Sequence, residues 1–205
     1  MLIVGDMHVK KNNIDESLKL WDWIVLLANQ NKINEILLLG DIFNDFGVLN
    51  IEVLNFWMNA LSLAKNNNIL VKIVVGNHDM SPDGTLNFPS FFSSLGAVIY
   101  DKPTILNNYM YVPFIRDGDK FIECVNSLYN EANGKIDYVF CHQEFNGCQF
   151  ENGFYAPHGA NPAGIPPKLQ IISGHIHMRQ SFGNIFYPGT PRALTKSDAN
   201  EIKGI

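Results

Sequence analysis

The sequence predicts an α/β protein with a single domain, and three observations lead to this prediction. Strand-like and helix-like segments alternate through the first half of the chain. Hydrophobic residues make up 46% of the 205 residues and charged residues 17%, a balance typical of chains that bury a full core. Short polar motifs containing histidine, aspartate or asparagine follow most of the apolar runs. A chain of this length favours one domain covering residues 1–205.

Three apolar runs in the first half, at residues 2–5, 36–39 and 70–75, predict buried strands. A helical pattern lies between each pair of runs. This β-α-β-α-β order implies parallel strands joined by right-handed crossovers. Open α/β sheets build their sites at the carboxyl ends of such strands, so those ends are where functional residues are expected.

The two helices of the first half are predicted from apolar residues at helical spacing. The first begins near Asn13 and Glu16, which resemble a capping box, and the second ends at the asparagine-rich residues 65–68. Their expected apolar faces are Ile14, Leu18, Trp21 and Val25 in the first helix and Ile51, Leu54, Trp57, Met58, Leu61 and Ala64 in the second. The aromatic residues of these helices are expected in the core and not as a stacking platform for bases: Trp21, Trp23, Phe56 and Trp57.

The second half of the chain has a less regular pattern. A short helix is predicted at residues 88–95 and a longer one at residues 119–129. Six strands are expected at residues 97–100, 104–106, 109–112, 137–141, 169–173 and 185–187. Residues 145–168 lack periodicity and are rich in glycine, proline and asparagine. Irregular segments of this length usually carry function, so a functional loop is predicted there.

Five of the six histidines lie in motifs that end predicted strands. The motifs are Asp6-Met7-His8, Gly40-Asp41, Gly76-Asn77-His78-Asp79, His142 and Gly174-His175-Ile176-His177. Asp6-x-His8 alone is better explained by a hydrogen-bonded histidine and a capping aspartate, whereas Gly174-His175-x-His177 alone is moderately informative of a metal site. Their recurrence at five strand ends favours a metal site instead, and mixed oxygen and nitrogen donors suit Mn, Fe or Zn better than Mg or Ca.

The spacing of the motifs indicates how such a site could be built. Residues i and i+2 of a strand share a face, so Asp6 and His8 can bind one metal from a single strand. His175 and His177 also share a face and could reach two metals, which in binuclear hydrolytic sites lie roughly 3.5–4 Å apart. Asp41 offers a carboxylate that can bridge the two metals.

This set of motifs resembles the calcineurin-like metallophosphoesterase superfamily, in order and spacing, from Met1 to Tyr187. The resemblance implies a two-sheet β-sandwich flanked by helices, with two divalent metals at the strand ends. It implies one metal bound by Asp6, His8 and His177, another bound by Asn77, His142 and His175, and Asp41 as the bridge. It also implies that His78 acts on the scissile phosphate without ligating metal, with Asp79 or Asp45 as candidates to orient it.

Further segments resemble the nuclease subunit of SbcCD-type and phage recombination complexes. They are residues 40–43, 111–114, 174–180 and 187–194. Two departures stand out. Asn44 lies where such nucleases usually carry His or Asp, which argues against processive exonuclease activity. The chain also stops at Ile205, where those proteins continue into a DNA-capping domain and a segment that binds a coiled-coil ATPase.

The expected function is therefore a binuclear metal-dependent phosphodiesterase, with DNA as the substrate. One alternative is a phosphatase or a phosphodiesterase of small molecules such as cyclic nucleotides. Phosphoprotein phosphatases of the superfamily carry Gly-Asp-x-x-Asp-Arg-Gly and Asn-His-Glu, whereas residues 40–46 contain no arginine and Asp79 replaces the glutamate. Another alternative is a non-catalytic scaffold, but such proteins lose ligands and none is lost here.

Two divalent ions are expected as cofactors, with Mn²⁺ favoured and Fe²⁺, Zn²⁺, Mg²⁺ and Ni²⁺ as alternatives. The candidates for substrate contact are Lys10, Lys11, Asn44, His158 and Arg179, with Arg116 and Arg192 as further candidate phosphate contacts. The net charge of −5 provides no global positive field for nucleic acid. Three cysteines without C-x-x-C spacing and the absence of a long apolar run favour a cytoplasmic protein away from membranes.

Overall fold

The computed structural model of the protein describes residues 1–194 and 203–205. Three α-helices lie in this described part: α1 (Ile14–Gln30), α2 (Ile51–Asn66) and α3 (Gly118–Glu131). The strands of the first half are β1 (Leu2–Val4), β2 (Glu35–Leu38), β3 (Leu70–Val74) and β4 (Val98–Tyr100). Those of the second half are β5 (Thr104–Leu106), β6 (Tyr109–Val112), β7 (Tyr138–His142), β8 (Gln170–Gly174), β9 (Gln180–Phe182) and β10 (Ile185–Tyr187).

Two sheets form the centre of the molecule. The first has the strand order β1-β2-β3-β4, and all of its neighbours are parallel, as the β-α-β-α-β pattern predicts. The second has the order β5-β6-β7-β8-β10-β9. Its four central strands are parallel, and β5 and β9 pair antiparallel at its two edges. The sequence patterns do not predict β9, which is only three residues long.

The sheets pack face to face with helices outside them. Leu37, Leu39 and Val74 of the first sheet meet Tyr111 and Phe140 of the second in one buried cluster. α1 and α2 cover the outer face of the first sheet, and α3 covers the outer face of the second. The two-sheet sandwich flanked by helices that the resemblance implies is therefore confirmed. Within the described residues, no helix is both long and apolar enough to cross a membrane.

α1 and α2 pack against each other through two buried indoles. The ring centroids of Trp21 and Trp57 lie 5.7 Å apart in an edge-to-face arrangement. The Trp21 Nε1–H donates to the Ala60 carbonyl oxygen at 2.8 Å, which satisfies a polar group that burial would otherwise leave without a partner.

Parts of the helix predictions are wrong. Trp23 is 47% exposed and Ile51 76% exposed, and Leu18 and Met58 are also exposed. The buried face of α2 is instead formed by Val53, Phe56, Trp57, Ala60, Leu61 and Ala64. Both candidate faces of α2 share Trp57, Leu61 and Ala64, because apolar residues nearly surround this helix, and periodicity alone leaves the direction of the core ambiguous.

The capping box predicted at the start of α1 is also absent. The Asn13 side chain makes no capping bond to the helix. Its Oδ1 accepts from the Lys10 backbone N–H at 2.8 Å, and its Nδ2 donates to the His8 carbonyl at 3.0 Å. Asn13 therefore braces the loop that follows β1, the loop that carries the first polar motif.

Candidate metal centre

The polar motifs that end the strands meet at one edge of the sandwich. The His8 backbone N–H donates to the Asp41 carbonyl at 2.9 Å, which joins the loops after β1 and β2. The His142 Nδ1–H donates to the Leu39 carbonyl at 2.7 Å and links the second sheet to the first. A cleft of about 400 Å³ opens there, lined by Asp41, Asn77, His78, residues 150–152 and residues 175–177.

One group of candidate ligands consists of Asp6, His8 and His177. The Nε2 atoms of His8 and His177 face each other at 3.1 Å. Each of these nitrogens lies 3.9 Å from Asp6 Oδ2. The ligand atoms of the three residues lie within 4.8 Å of one another, an arrangement that could hold one metal ion.

A second group is centred on the Asn77 side-chain oxygen. This Oδ1 lies 2.9 Å from both His142 Nε2 and His175 Nδ1. Asp41 Oδ2 lies 3.3 Å from His142 Nε2 and 3.7 Å from His8 Nε2. The Asp41 carboxylate is therefore positioned between the two groups, and Asp41, His142 and His175 together could also hold a metal ion.

Neighbouring acceptors fix which imidazole nitrogen faces the centre. His142 donates its Nδ1–H to the Leu39 carbonyl, and His177 places Nδ1 2.7 Å from Glu151 Oε1. Both rings therefore present Nε2 to the centre. His175 is reversed, because its Nδ1 points inward and its Nε2 lies 3.8 Å from Glu144 Oε2. A carbonyl or carboxylate beside the outer nitrogen, as at these three rings, is what orients histidines on metals.

His78 is held beside these groups by the loop that follows β2. Its Nδ1–H donates to the Asn44 carbonyl at 2.6 Å, and its Nε2 lies 3.8 Å from Asp41 Oδ2. The Phe46 ring lies on the imidazole, with centroids 3.8 Å apart. His78 also forms a third group with His8 and Asp41 that could hold a metal ion, so proximity alone does not assign its role.

Asp79 is fully buried. Its Oδ2 accepts from the Gly76 N–H at 2.9 Å and its Oδ1 from the Phe43 N–H at 3.2 Å. Burial raises the pKa of Asp79 to about 7, with a further contribution from the Asp41 carboxylate. Asp45 instead accepts from the Asn44 side chain at 2.7 Å. The group that orients His78 is thus the Asn44 carbonyl, which the sequence reasoning did not consider.

The electrostatics of the cluster favour a cation. Burial raises the pKa of Asp6, whereas the histidines around Asp41 outweigh its burial and lower its pKa. Burial lowers the pKa of His8 to about 3. Burial also acts to lower the pKa of His142, but Asp41 and Asp6 overcome it and raise this pKa to about 10. Two buried carboxylates facing imidazole nitrogens, with no lysine or arginine among the described residues lining the cleft, are a donor set that fits divalent metals.

The backbone at the site is held in unusual conformations. His8, Asp41 and His175 have φ values of +42°, +46° and +83°, a region that non-glycine residues seldom occupy. Such strain persists only where the surrounding structure enforces it, and it concentrates at functional sites. Gly174 is required for a different reason, because a Cβ there would lie 2.7 Å from Asp6 Oδ1 and 2.8 Å from His142 Nδ1.

The predicted substrate-contact residues lie outside the lining of the 400 Å³ cleft. Lys11 is exposed and pairs with Glu52 at 2.7 Å, and Lys10 is partly buried in the loop after β1. Arg179 is exposed with its guanidinium 5.4 Å from the Phe186 ring centroid. His158 is exposed in the irregular segment. Asn44 reaches the site through its backbone carbonyl, while its side chain bonds to Asp45.

The Arg192 guanidinium is hydrogen-bonded within the protein and is not exposed as a free phosphate contact. Its Nη1 donates to Ser17 Oγ at 2.8 Å and its Nη2 to the Met7 carbonyl at 3.0 Å. These bonds tie the segment after β10 to α1 and to the motif after β1. Arg192 therefore supports the position of Asp6 and His8, and both of its Nη atoms already donate to protein oxygens.

Sequence reasoning missed three residues next to the candidate ligands. Glu151 contacts His177, Phe46 lies on His78, and the Phe114 ring stacks on His175 with centroids 5.8 Å apart. Glu151 belongs to the irregular segment predicted to be functional, so an acidic residue there could have been considered. Phe46 carries no such signal, because an isolated phenylalanine is read as core by default. Phe114 belongs to the segment 111–114 that carries the nuclease resemblance, but the resemblance assigns it no role at the site.

Comparison with known proteins identifies a family. Residues 1–179 match the family model described as calcineurin-like phosphoesterase. A protein with a phosphoesterase name, 078R of Invertebrate iridescent virus 3, is 25% identical over 93% of this chain and 56% of its own length. The similarly named 244L of Invertebrate iridescent virus 6 is 29% identical over 98% of this chain and 74% of its own length.

A third relative carries a more specific name. Exonuclease subunit 1 of Enterobacteria phage T4 is 26% identical over the whole of this chain and 62% of its own length. The chain thus spans between about half and three quarters of the length of these relatives. The resemblance inferred from the strand-end motifs and the match over residues 1–179 agree.

Proposed function

Because the chain belongs to the calcineurin-like phosphoesterase family, we propose that it is a binuclear metal-dependent phosphodiesterase that cleaves DNA. The observation that carries this proposal is the pair of ligand groups at one strand-end edge, with the Asp41 carboxylate between them. We further propose that residues 1–205 form one catalytic domain.

Two metals would be held by the two groups of candidate ligands. Asp6, His8 and His177 would hold one, Asn77, His142 and His175 would hold the other, and Asp41 would be shared. Such a metal pair would lower the pKa of a bound water to near neutrality and would offset the negative charge that develops on a phosphate. We propose Mn²⁺ as the favoured ion and Fe²⁺, Zn²⁺, Mg²⁺ and Ni²⁺ as the alternatives to test.

His78 would act on the leaving group of the diester. Its Nδ1–H is fixed on the Asn44 carbonyl, so a proton on Nε2 can be given to the departing oxygen without losing the orientation of the ring. The partly exposed position of His78 at the cleft leaves room for a substrate oxygen.

Two features support a DNA diester over a phosphomonoester. A relative that matches the whole chain is named as an exonuclease subunit. The segment 40–46 has no arginine of the phosphatase type. Cleavage in the interior of strands is proposed over digestion from ends, because Asn44 replaces the usual His or Asp. The net charge of −5 implies weak binding that added salt suppresses.

The test is a comparison of four substrates with one enzyme preparation. Protein stripped of metal and reloaded with each ion is assayed on single-stranded DNA, duplex DNA, a bis-aryl phosphodiester and an aryl phosphomonoester. We expect Mn²⁺-dependent turnover of the diesters, with single-stranded DNA cleaved faster than intact duplex. Brisk turnover of the monoester alone would support a phosphatase. No turnover of any substrate by protein that also binds no metal would support a scaffold.

A further inference from the structure

A second cavity adjoins the candidate metal centre. It has a volume of about 270 Å³ and meets the centre at Asn77, which lines both cavities. Phe46, Phe114 and Arg116 contribute to its walls, and the loop of residues 80–84 closes another side. A substrate phosphate at the metal centre would therefore place its neighbouring nucleoside within reach of this cavity.

Two aromatic rings line the cavity and rest on imidazoles of the centre. Phe46 lies on His78 with centroids 3.8 Å apart and rings inclined by 33°, and it is nevertheless 52% exposed. Phe114 stacks on His175 at 5.8 Å and 26°. The exposure of Phe46 leaves aromatic surface available in this cavity, and bases stack on such rings irrespective of their identity.

Arg116 supplies a positive charge at the rim. The side chain is exposed, and one Nη2–H donates to the Pro82 carbonyl at 3.2 Å. A guanidinium carries five N–H donors, so this bond leaves capacity for a phosphate oxygen. The carboxylate in the same loop, Asp83, already accepts from Ser81 and Thr85. A cavity with two aromatic rings and a cation at its rim is complementary to a nucleotide, because a nucleotide has a flat base that stacks on rings and an anionic phosphate that binds a cation.

We propose that this cavity binds one unpaired nucleobase of the strand being cut, stacked against Phe46 and Phe114, while Arg116 contacts the adjacent phosphate. The inference rests on the proposed function and deepens it, because it accounts for a preference for single-stranded DNA. A base enters the cavity only when it is outside the helical stack, and unpairing is cheapest in single or frayed strands.

The test compares two diesters with the same leaving group. Thymidine 5′-(4-nitrophenyl phosphate) carries a base, and methyl 4-nitrophenyl phosphate does not. The ratio of their kcat/KM values under saturating Mn²⁺ measures how much the base increases kcat/KM. Because it is a ratio, it is independent of changes that affect both esters equally. Wild type is expected to favour the thymidine ester, and Phe46→Ala is expected to lower the ratio by roughly tenfold, the usual scale for one lost stacking partner.

Variants of Phe46 separate stacking from support of His78. Phe46→Leu keeps an apolar contact on the imidazole but has no ring. Its ratio of kcat/KM for the thymidine ester to kcat/KM for the methyl ester should therefore fall as much as that of Phe46→Ala. Phe46→Trp keeps a ring and should restore the ratio. Phe91→Ala is the matched control, since Phe91 is 64% exposed but lines a different cavity with Phe43 and Leu49. Its ratio should equal that of wild type.

The outcomes distinguish this inference from the proposed function. Hydrolysis of neither ester by the Mn²⁺-loaded protein contradicts the proposed function, and the inference falls with it. Hydrolysis of both esters with equal kcat/KM contradicts the inference alone. A ratio that survives in Phe46→Leu also overturns it, because the ring would then serve only to pack against His78.

Discussion

At the scale of single residues, the candidate centre depends on which atom of each side chain faces inward. Asn44 illustrates this best, since its backbone carbonyl, and not its side chain, holds His78. The family resemblance implied that His78 acts on the scissile phosphate, but Asp79 and Asp45 were the candidates to orient it. Asp79 instead binds two backbone N–H groups, a geometry that requires knowledge of the turn itself.

Asp41 is the residue whose loss should affect both metals. Asp41→Asn removes the shared charge between the two ligand groups, so the affinities for both ions should fall. The loss should exceed the roughly 10–100-fold expected when only an outer partner is removed. Elemental analysis at limiting Mn²⁺ checks this, with Asp45→Asn as the control because Asp45 is exposed and bonds to Asn44. Unchanged occupancy in Asp41→Asn would contradict the shared-ligand proposal.

Glu151 should act through His177. Its carboxylate lies 2.7 Å from His177 Nδ1 and directs Nε2 toward Asp6 and His8. Glu151→Ala should therefore weaken one metal site by roughly 10–100-fold and leave the site with Asn77 occupied. Calorimetric titration with Mn²⁺ is expected to show one tight and one weakened site. Glu131→Gln, an exposed change on α3, is the control, and two undisturbed sites in Glu151→Ala would refute the positioning role.

Loss of the His78 side chain should lower turnover and leave metal binding unchanged. His78→Ala is expected to lower kcat on a bis-aryl phosphodiester by roughly 10²–10⁴-fold, the range for lost acid–base assistance. Metal content measured on the same sample should remain at the wild-type value. If the metals disappear together with the activity, His78 is a ligand, as the group that it forms with His8 and Asp41 would allow.

At the scale of elements, the strands were easier to predict than the orientation of the helices. The apolar runs of β1, β2 and β3 are short and bounded by polar motifs, so their ends were visible in the sequence. α2 has apolar residues on several faces, and its core-facing side is set by contacts with α1 and the sheet. Neither of these contacts is local in sequence, which explains why Ile51 was wrongly expected to be buried.

The two tryptophans of α1 provide a test at this scale. Trp21 is buried between α1 and α2 and bonds to the Ala60 carbonyl, whereas Trp23 is about half exposed. Trp21→Ala should lower the free energy of unfolding by about 3–5 kcal/mol. Trp23→Ala should lower it by less than about 1 kcal/mol. Urea unfolding measures both changes, and equal losses would show that the packing between α1 and α2 has been misjudged.

At the scale of the whole molecule, the site exists because two sheets bring their strand ends together. The candidate site residues from Asp6 to Asp79 follow strands of the first sheet, whereas His142, His175 and His177 lie at or just after the ends of strands of the second. The types of polar residue and their strand-end placement could be predicted from the five motifs taken together. The way in which the two sheets meet could not be predicted from the motifs, because it depends on contacts such as that between His142 and Leu39, which are 103 residues apart. The resemblance to a known family was needed to anticipate the two-sheet arrangement.

Cleavage of circular single-stranded DNA tests the central proposal most directly, because a circle has no ends and contains only diesters. With Mn²⁺, we expect conversion of the circle to linear and then shorter products, suppressed by added salt and by a chelator. Asp41→Asn, assayed at the same protein concentration, should leave the circle intact. If the circle survives with wild-type protein while an aryl phosphomonoester is hydrolysed briskly, the proposal of a DNA phosphodiesterase is contradicted.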